Sequence, residues 1–558
     1  MKVTGESTWI ASGRDRHLAA WVHGPQAEPR GLAVIVPPVG RSLAVTYRTL
    51  RVLAIRLAEA GFVAVRFEFS GTGDSSAGRG PGTEQDWRDD LEAVLGWSRA
   101  TWPDAPAVLG VGFELGATFL ANSSDPRWGP RLVWDPVSPR KYLRQGSMLR
   151  RLSVDGVPRS EGVEHPGFWF SPERVAELNS LRPVEAPAWE PRSTGELPAE
   201  REAIYRIDSS PEEGRLLHES PSMAARVPVD RIRYIVEAAS ELAPGPGGFS
   251  ADRFVPDRVA HLSGDNGRPL VEEMIEAEDG TLGILTAPLR AEPGDSQRAA
   301  LLLAGASEPK DGPTGLWTPL SQTLASRGVV AFRAERAGCG DLGDPEDLAD
   351  PNPHSLDIVE SARGAAAWLA ERTERRVTGI GLCSGAWAQL RAAETGGFER
   401  IVAINNIAWR SDLDFHRRIY EEGLLEVTPE GQQLREDMPE TGNLSAATRW
   451  KNAAVNRAKN LIKSHAPYSV WRRLGQRGVV DFPEGMLKDV PPTTEVVLVF
   501  SAQDHGDLRH SRLDEGIHSV KRHRPDSIST VMLAGLDHSL LSLDSRETAT
   551  TYFQDITW

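Results

Sequence analysis

The stretch Val377-Thr378-Gly379-Ile380-Gly381-Leu382-Cys383-Ser384-Gly385-Ala386 decides the fold of this chain. An apolar run ends in Gly-x-Cys-x-Gly, and a helix-forming stretch follows it. This layout is typical of a nucleophile elbow, a strained turn between strand and helix with the nucleophile at its apex. Glycines on both sides let the backbone pack closely. The pattern predicts Cys383 as a nucleophile, and the alternative is a glycine-rich turn around a buried, inert cysteine.

The composition indicates a globular protein with more than one domain. The chain has 558 residues, of which 40% are hydrophobic and 25% charged, and this length exceeds one ordinary core. No apolar run approaches the ~20 residues of a membrane span, and the N-terminus lacks the apolar core of a signal peptide. The only cysteines, Cys339 and Cys383, fit a reducing compartment. We therefore expect a cytoplasmic protein without a membrane span.

Charge and metal-ligand patterns exclude other classes of function. The net charge of −15 argues against a nucleic-acid partner. Two thiols are too few for a cysteine-based metal site, and no clustered His/Asp spacing stands out. We expect neither a metal nor an organic cofactor.

Short apolar runs alternate with helical patterns in the first half of the chain. Residues 31–36 and 61–69 predict strands, residues 47–60 and 84–101 predict helices, and residues 107–117 predict a strand that enters a helix. This alternation favours an α/β fold with a mostly parallel sheet covered by helices.

The same order returns in the second half. Residues 300–304 and 328–335 predict strands, and residues 316–326 and 354–372 predict helices before the elbow. Several residues recur at an offset of 267 or 269 positions: Gly61 and Gly328, Gly71 and Gly338, Asp74 and Asp341, Gly112 and Gly381, Gly116 and Gly385. A nearly constant offset indicates a duplicated domain. We expect domains at 1–243 and 269–558, joined by a breaker-rich linker at 244–268.

The first copy has Glu114 where the second has Cys383. A carboxylate is a poor nucleophile for acyl transfer. His165 lies in a Pro-rich stretch without a preceding strand, and His218 is more typical of a surface residue. The first copy is therefore predicted to be non-catalytic, with a role in scaffolding, in binding a partner or in shaping the entrance of the second copy.

An elbow nucleophile needs a base and an acid that orients it. Residues 495–500 predict a late strand followed by Asp504, and residues 530–533 predict the last strand, followed by His538. The chain order Cys383, Asp504, His538 is the one that this kind of elbow requires.

Rival residues are weaker for each role. Asp507 is a second possible acid, and His505 precedes the final strand. Asp537 fits a turn, while three further histidines lie in a charged helical stretch: His510, His518 and His523.

The site also needs amides for the oxyanion. The Ser384 amide would lie at a helix N-terminus, and its partner would follow the first strand of the copy, at Gly305 or Ala306. Spacing does not choose between these two. Cys339 takes the position of Thr72 in the first copy, which indicates a small turn residue.

A polar insertion at 406–490 precedes the strand that carries the acid. Its spacing predicts helices at 412–423, 444–464 and 469–478, which could form a lid over the elbow. Four aromatic residues could line a substrate channel or hold this lid to the body: Trp409, Phe415, Trp450 and Trp471. The packing role is the interpretation we favour.

Together these residues resemble the α/β-hydrolase superfamily over two stretches, 30–240 and 270–558. Gly381-Leu382-Cys383-Ser384-Gly385-Ala386 is similar to the elbow of bacterial Cys-type hydrolases, including exosortase-system-associated hydrolases. Ala304-Gly305, Trp471-Arg472-Arg473-Leu474, Trp134-Asp135-Pro136-Val137 and Tyr142-Leu143-Arg144 look like the same group. The resemblance implies acyl chemistry through Cys383, His538 and Asp504, and Glu114 departs from the pattern.

The sequence thus predicts two α/β-hydrolase-like domains in tandem, with a helical lid in the second. We expect a Cys-His-Asp acyl hydrolase acting on an ester, thioester or amide, in a small-molecule or carrier-bound acyl substrate. An acyltransferase with the same acyl-enzyme and a non-catalytic scaffold remain the alternatives. A protein partner of the first domain and a homodimer also stay open.

Overall fold

The computed structural model describes residues 5–13, 15–25, 28–76, 84–154, 156, 158, 161–191, 203–219, 225–243, 248–251, 254–342, 352–419 and 467–558. Helices alternate with strands, and most strand neighbours in the two large sheets are parallel. The expected α/β class, with mostly parallel sheets flanked by helices, is therefore confirmed.

The strands are β1 Gly5–Ala11, β2 His17–His23, β3 Gly31–Val36, β4 Phe62–Phe67, β5 Val108–Phe113, β6 Trp128–Trp134, β7 Val163–His165, β8 Phe168–Phe170, β9 Ile204–Ile207, β10 Val259–Ser263, β11 Pro269–Glu276, β12 Leu282–Pro288, β13 Arg298–Leu303, β14 Val330–Ala334, β15 Arg376–Leu382, β16 Arg400–Ile404, β17 Glu495–Phe500 and β18 Ile528–Met532.

The α-helices are α1 Arg41–Glu59, α2 Glu84–Thr101, α3 Glu114–Asn122, α4 Pro139–Ser153, α5 Pro172–Leu178, α6 Pro211–Gly214, α7 Val229–Leu242, α8 Trp317–Ser326, α9 Leu356–Thr373, α10 Ser384–Ala392, α11 413–419, α12 Tyr468–Gly475, α13 Pro483–Asp489, α14 Ala502–Asp507, α15 Leu513–Lys521 and α16 Leu543–Asp555. A π-helix, Arg215–Glu219, follows α6.

The chain divides into two compact units. The first unit comprises Met1–Gln297, Ser307–Asp350 and Leu540–Trp558, and the second comprises Arg298–Ala306 and Pro351–Ser539. The domain boundaries expected from the sequence, 1–243 and 269–558, stay a prediction.

The first unit contains a seven-stranded sheet in the order β1-β2-β4-β3-β5-β6-β9. Its strands from β4 to β9 are parallel, and β1 and β2 add an antiparallel edge. Every residue of β3, β4 and β5 is buried, as continuous apolar strands predict for a sheet covered on both faces. Val34 and Ile35 of β3 accordingly belong to two different apolar cores, because successive side chains point to opposite faces.

The same unit holds an antiparallel ladder of β10, β11, β12 and β14.

A buried ionic network around Lys310 also lies in this unit. Lys310, only 3% exposed, lies 3.1 Å from Asp74, 3.3 Å from Asp341 and 3.5 Å from Glu335. Burial by itself would lower the pKa of Lys310, but the three carboxylates raise it well above its usual range. The lysine is therefore charged and serves as the common cation of three acids.

Two arginines complete this network, and each forms an ion pair that is equivalent to the other. Arg66 pairs with Asp341, and Arg333 pairs with Asp74 at 3.3 Å. Arg66 and Arg333 are 267 positions apart, as are Asp74 and Asp341. Such an exchange of equivalent pairs is what a two-fold relation between repeats produces. It agrees with the predicted duplication, which stays a hypothesis.

The second unit is built on the parallel strands β13-β15-β16-β17-β18. Parallel strands bring their carboxyl ends to one edge of the sheet, where α/β folds build their sites. The turns after β13, β15, β16, β17 and β18 carry the predicted site residues or contact them.

The predicted lid is described in part. Residues 413–419 and Tyr468–Gly475 are helical as expected, and a further helix, Pro483–Asp489, lies inside the insertion. The helix predicted at 444–464 lies outside the described residues. The closure of a lid over the elbow therefore stays a prediction.

Candidate active site

Cys383 lies at the apex of the turn between β15 and α10. Its backbone has φ 51° and ψ −115°, a conformation that is strained for a residue with a side chain. A Cβ on Gly385 would lie 2.3 Å from the Ala304 carbonyl oxygen, and one on Gly381 would lie 2.5 Å from the Ala386 nitrogen. Both contacts are with backbone, so only glycine fits on either side. The Cys383 side chain is partly exposed, whereas Cys339 is buried.

His538 and Asp504 meet at the carboxyl edge of the same sheet. His538 Nδ1 lies 2.9 Å from Asp504 Oδ1. Asp504 is buried in the first turn of α14, where the Ser501 hydroxyl donates to its Oδ2 at 2.8 Å and accepts from its backbone N–H at 3.0 Å. The carboxylate is therefore held in one orientation against the imidazole.

Cys383 is the second group that acts on the imidazole. The hydrogen bond to Asp504 and the interaction with Cys383 raise the pKa of His538 to about 10. The imidazole therefore keeps its second proton at neutral pH, and its positive charge faces the sulfur. The structure thus brings together all three residues that the chain order selected.

This pKa predicts a pH dependence of stability. The usual pKa of histidine is 6.5, and a group whose pKa is raised on folding stabilises the fold below its unfolded pKa. That contribution is lost as the pH rises through about 10. The free energy of unfolding, measured by urea titration, should therefore fall between these pH values, and Asp504→Asn should flatten the fall.

Proton NMR of the His538 ring gives the direct measurement. Its titration midpoint should lie far above 6.5 in the wild type and should drop in Asp504→Asn. His505 serves as the control, because its Nε2 lies 3.4 Å from a different acid, Asp514, so His505→Gln should not change the His538 midpoint. A wild-type midpoint near that of an ordinary histidine would contradict this prediction.

Asn405, which the sequence did not single out, joins the two loops of the site. It follows β16 with φ 47° and is completely buried. Its Nδ2 donates to the carbonyl oxygens of Asp537 at 3.0 Å and His538 at 2.9 Å, and its Oδ1 accepts from the Ser501 N–H at 2.9 Å. One amide thus fixes both the histidine loop and the start of the acid loop. An asparagine directly after an apolar run was the available signal in the sequence.

Replacing Asn405 by aspartate should keep the contact with the acid loop and remove the contacts with the histidine loop. The new carboxylate would still accept from Ser501, but it could not donate to the two carbonyls of the histidine loop. We expect kcat to fall roughly 10²-fold, because small misplacements of reacting groups cost about that much. The NMR titration midpoint of His538 should also shift, which a purely structural role would not cause.

The neighbouring Asn406→Asp variant is the matched control for this substitution. Asn406 is equally buried, but its Nδ2 donates to the Ala408 carbonyl, and among the described residues its side chain forms no hydrogen bond with either site loop. It should keep the wild-type His538 midpoint. Unchanged kcat and an unchanged midpoint in Asn405→Asp would show that Asn405 does not position His538.

The predicted oxyanion residues surround the apex. Ser384 opens α10, where the first N–H groups have no partner within the helix. Gly305 lies against the elbow, since a Cβ there would be 3.4 Å from Cys383 Cβ. Ala306 follows it with φ 45°. The choice between Gly305 and Ala306 as the second donor stays open.

The rival residues lie elsewhere. His505 is beside Asp514, and Asp537 accepts the Ser539 N–H at 3.1 Å as a turn residue does. His518 and His523 are exposed. The side chains of Asp507 and His510 lie outside the described residues.

The aromatic residues proposed for a substrate channel are mostly packed. Trp409 and Trp471 are buried, and the Trp471 indole donates to the Asp481 carbonyl at 3.0 Å. Phe415 is half-buried, with the Arg410 guanidinium 3.7 Å from its ring centre. These contacts favour the packing interpretation. Trp450 lies outside the described residues.

The first unit has its own elbow at Glu114, with φ 47°. His165 was expected to have no strand before it, and this was wrong: it ends β7 and is 4% exposed. It lines a cavity of about 460 Å³ together with Glu114, Arg41 and Tyr142. Burial lowers the pKa of His165 to about 4, so its ring is neutral. A three-residue strand is too short to show a period in the sequence.

No helix in the described part of the chain combines the length and apolarity needed to cross a bilayer. Within the same residues, no group of three or more His, Cys, Asp and Glu side chains could hold a metal ion.

No protein-family profile and no curated protein matches the chain. Among solved structures, it is similar to a dienelactone hydrolase from Anabaena variabilis, with 12% identity, a TM-score of 0.30 and coverage of 53% of this chain and 96% of that one. A carboxyl esterase from Bacillus coagulans matches with 14% identity and a TM-score of 0.31, over 51% and 96% of the two chains. A Pyrococcus furiosus esterase matches with 17% identity and a TM-score of 0.22, over 26% of this chain and 53% of that one.

Proposed function

We propose that this chain is an acyl hydrolase that forms an acyl-enzyme on Cys383. The observation that carries the proposal is that His538 Nδ1 lies 2.9 Å from Asp504 Oδ1 while Cys383 acts on the same imidazole. A nucleophile, a base and an orienting acid in contact are the parts that covalent acyl transfer requires.

The first half-reaction makes a bond to sulfur. With its thiol proton held by His538, Cys383 Sγ attacks the carbonyl carbon of an ester, thioester or amide, and the carbonyl oxygen becomes an oxyanion. The Ser384 amide and an amide from Gly305 or Ala306 stabilise that charge. The His538 imidazolium then gives its proton to the leaving group, the bond to that group breaks, and a thioester remains on Cys383.

The second half-reaction releases the acyl group. His538, now neutral, accepts a proton from water as the water oxygen attacks the thioester carbonyl. The carbon–sulfur bond breaks, and the acid product leaves Cys383 with His538 protonated again. Asp504 keeps Nδ1 oriented throughout, so Nε2 is the atom that exchanges protons. If an amine or alcohol replaces water, the same intermediate gives acyl transfer.

Intact-mass analysis with a panel of short acyl thioesters and p-nitrophenyl esters tests this proposal. Wild-type protein should gain the mass of one acyl group, and Cys383→Ala should gain none. His538→Gln should lengthen the lifetime of any adduct, because water then lacks its base. Product analysis with and without an added amine distinguishes hydrolysis from acyl transfer.

If no acyl group adds across the panel, and iodoacetamide labels Cys383 no faster than the buried Cys339, the proposal fails. The chain would then be better described as a scaffold.

The first domain, expected at 1–243, is proposed to be non-catalytic. Its elbow carries Glu114. Attack by that carboxylate on an acyl carbonyl would give a mixed anhydride, whereas attack by Cys383 gives a thioester. We therefore assign the acyl chemistry to the domain expected at 269–558.

A further inference from the structure

A cluster of rings joins the elbow helix to the insertion at 406–490. Trp387 of α10 lies one turn after the elbow, and its backbone N–H donates to the Cys383 carbonyl at 3.1 Å. Its indole is completely buried, and the ring centre lies 5.4 Å from that of His416, in α11 of the insertion. The first turn of the elbow helix is therefore in contact with the insertion.

One carbonyl oxygen holds both of these side chains. Trp387 Nε1 donates to the Arg410 oxygen at 3.0 Å, and His416 Nε2 lies 2.9 Å from the same oxygen. Because a carbonyl only accepts, His416 carries a proton on Nε2, and in the neutral ring Nδ1 carries none. The elbow helix and the insertion helix thus meet at one atom.

A third ring completes the cluster. His354, which precedes α9, is stacked on His416 with 4.4 Å between the ring centres and 15° between the ring planes. Its ring centre also lies 5.0 Å from that of Trp387, at an interplanar angle of 80°. Each ring contacts the other two, so a displacement of His416 would disturb the packing of Trp387.

The Arg410 side chain connects the other described arm of the insertion to the same point. Its Nε donates to Asp481 at 3.0 Å, and its Nη atoms donate to the carbonyls of Gly478 at 3.2 Å and Val479 at 3.1 Å. These three partners lie between α12 and α13. Both arms of the insertion that the structure describes therefore reach the elbow helix through Arg410.

The surroundings of His416 oppose a positive charge on its ring. The residue is 7% exposed. Burial is the main cause that lowers the pKa of His416 below its usual 6.5, and the Arg410 guanidinium acts in the same direction. The Arg410 carbonyl, Asp412 and Asp481 act in the opposite direction. However, Asp412 accepts two backbone N–H groups of α11, and Asp481 is paired with Arg410. The stacked His354 is the other titratable group that faces the ring in the described part of the chain.

A lowered pKa determines the direction of a pH effect. A histidine that binds its proton less well in the folded state than in the unfolded state stabilises the fold while it is neutral. The contact of His416 with Arg410 and Trp387 should therefore be strongest above pH 6.5 and should weaken as the pH falls below that value.

We propose that His416 is a positioning residue that holds the elbow helix against the insertion. The proposal rests on the acyl chemistry proposed for Cys383. Because Trp387 belongs to the same helical turn as Ser384, a shift of α10 would move the nucleophile and the Ser384 amide together. Small misplacements of reacting groups cost up to about 10²-fold in rate, so the rate constant to follow is kcat.

The pH profile of kcat with an accepted p-nitrophenyl ester tests this proposal on the full-length protein. Below pH 6.5, kcat of the wild type should fall by roughly 10-fold more than that of His416→Gln. Glutamine can still donate a hydrogen bond, but it does not titrate. His518→Gln is the matched control, because His518 is an exposed histidine of the same unit; it should keep the wild-type profile.

Hydrogen exchange of α10, followed by mass spectrometry, needs no substrate and therefore separates this proposal from the proposed function. After correction for the intrinsic exchange rate, the α10 amides should lose protection below pH 6.5 in the wild type and keep it in His416→Gln. Trp387→Phe keeps a ring but removes the donor to Arg410. It should lower both kcat and α10 protection at every pH.

Three results would overturn the positioning role: equal pH dependence in the wild type and His416→Gln, wild-type behaviour of Trp387→Phe, or loss of α10 protection without any change in kcat. A failure of the proposed function looks different. Cys383 would then form no acyl adduct, while α10 protection would still depend on pH in the wild type and not in His416→Gln.

Discussion

Replacing Cys383 by alanine should reduce turnover of an accepted acyl substrate by roughly 10³- to 10⁶-fold. Loss of an elbow nucleophile removes the covalent route, and what remains is the background rate that the oxyanion site and substrate binding support. Because the thiol is partly exposed, the substitution removes a reacting group and little packing. The measurement is kcat/KM, together with the absence of an acyl adduct in the intact mass.

Cys339→Ala is the matched control for this experiment. Cys339 is the other cysteine of the chain, but it is 2% exposed. It should keep wild-type turnover and still form the adduct. His538→Gln should lower turnover about as much as Cys383→Ala, because residues that act as a unit are not additive. If Cys383→Ala keeps its activity while Cys339→Ala loses it, the nucleophile assignment is wrong.

Replacing Lys310 by methionine should lower the free energy of unfolding by about 3–5 kcal/mol. Removing one partner of a buried ionic group leaves the opposite charges uncompensated, and that is the cost usually measured. Here three acids lose their common cation: Asp74 at 3.1 Å, Asp341 at 3.3 Å and Glu335 at 3.5 Å. Urea titration followed by circular dichroism measures the loss.

Two further variants test the reason for that loss. Arg233→Met removes a surface ion pair with Asp230, in which the two side chains are 67% and 87% exposed; it should cost less than about 1 kcal/mol. Adding Asp74→Asn to Lys310→Met should recover part of the stability, because one of the stranded charges is then gone. A loss under about 1 kcal/mol in Lys310→Met, no larger than that of a surface pair, would show that the network contributes little.

Local patterns in the sequence determined the elements of the fold. The apolar run before Cys383 became β15, and the glycines at 381 and 385 are the positions where a Cβ would strike backbone. The strand that ends before Asp504 and the last strand before His538 also lie close to where the sequence predicted them. These features follow from neighbours along the chain, since periodicity and turn chemistry are local.

Only the tertiary structure decided which distant groups meet. The link from Asn405 to Ser501 spans 96 positions and the link to His538 spans 133, and the reciprocal pairs of Arg66 with Asp341 and Arg333 with Asp74 connect the two halves of the chain. His165 lines the same cavity as Glu114, and it is positioned there by β7, a strand of only three residues. The sequence by itself determined a strand–turn–helix with Cys383 at its apex and the chain order in which Asp504 and His538 follow it. Which buried charges and amides support them depended on contacts made across the fold, because a hydrogen bond or an ion pair leaves no periodic trace in the chain.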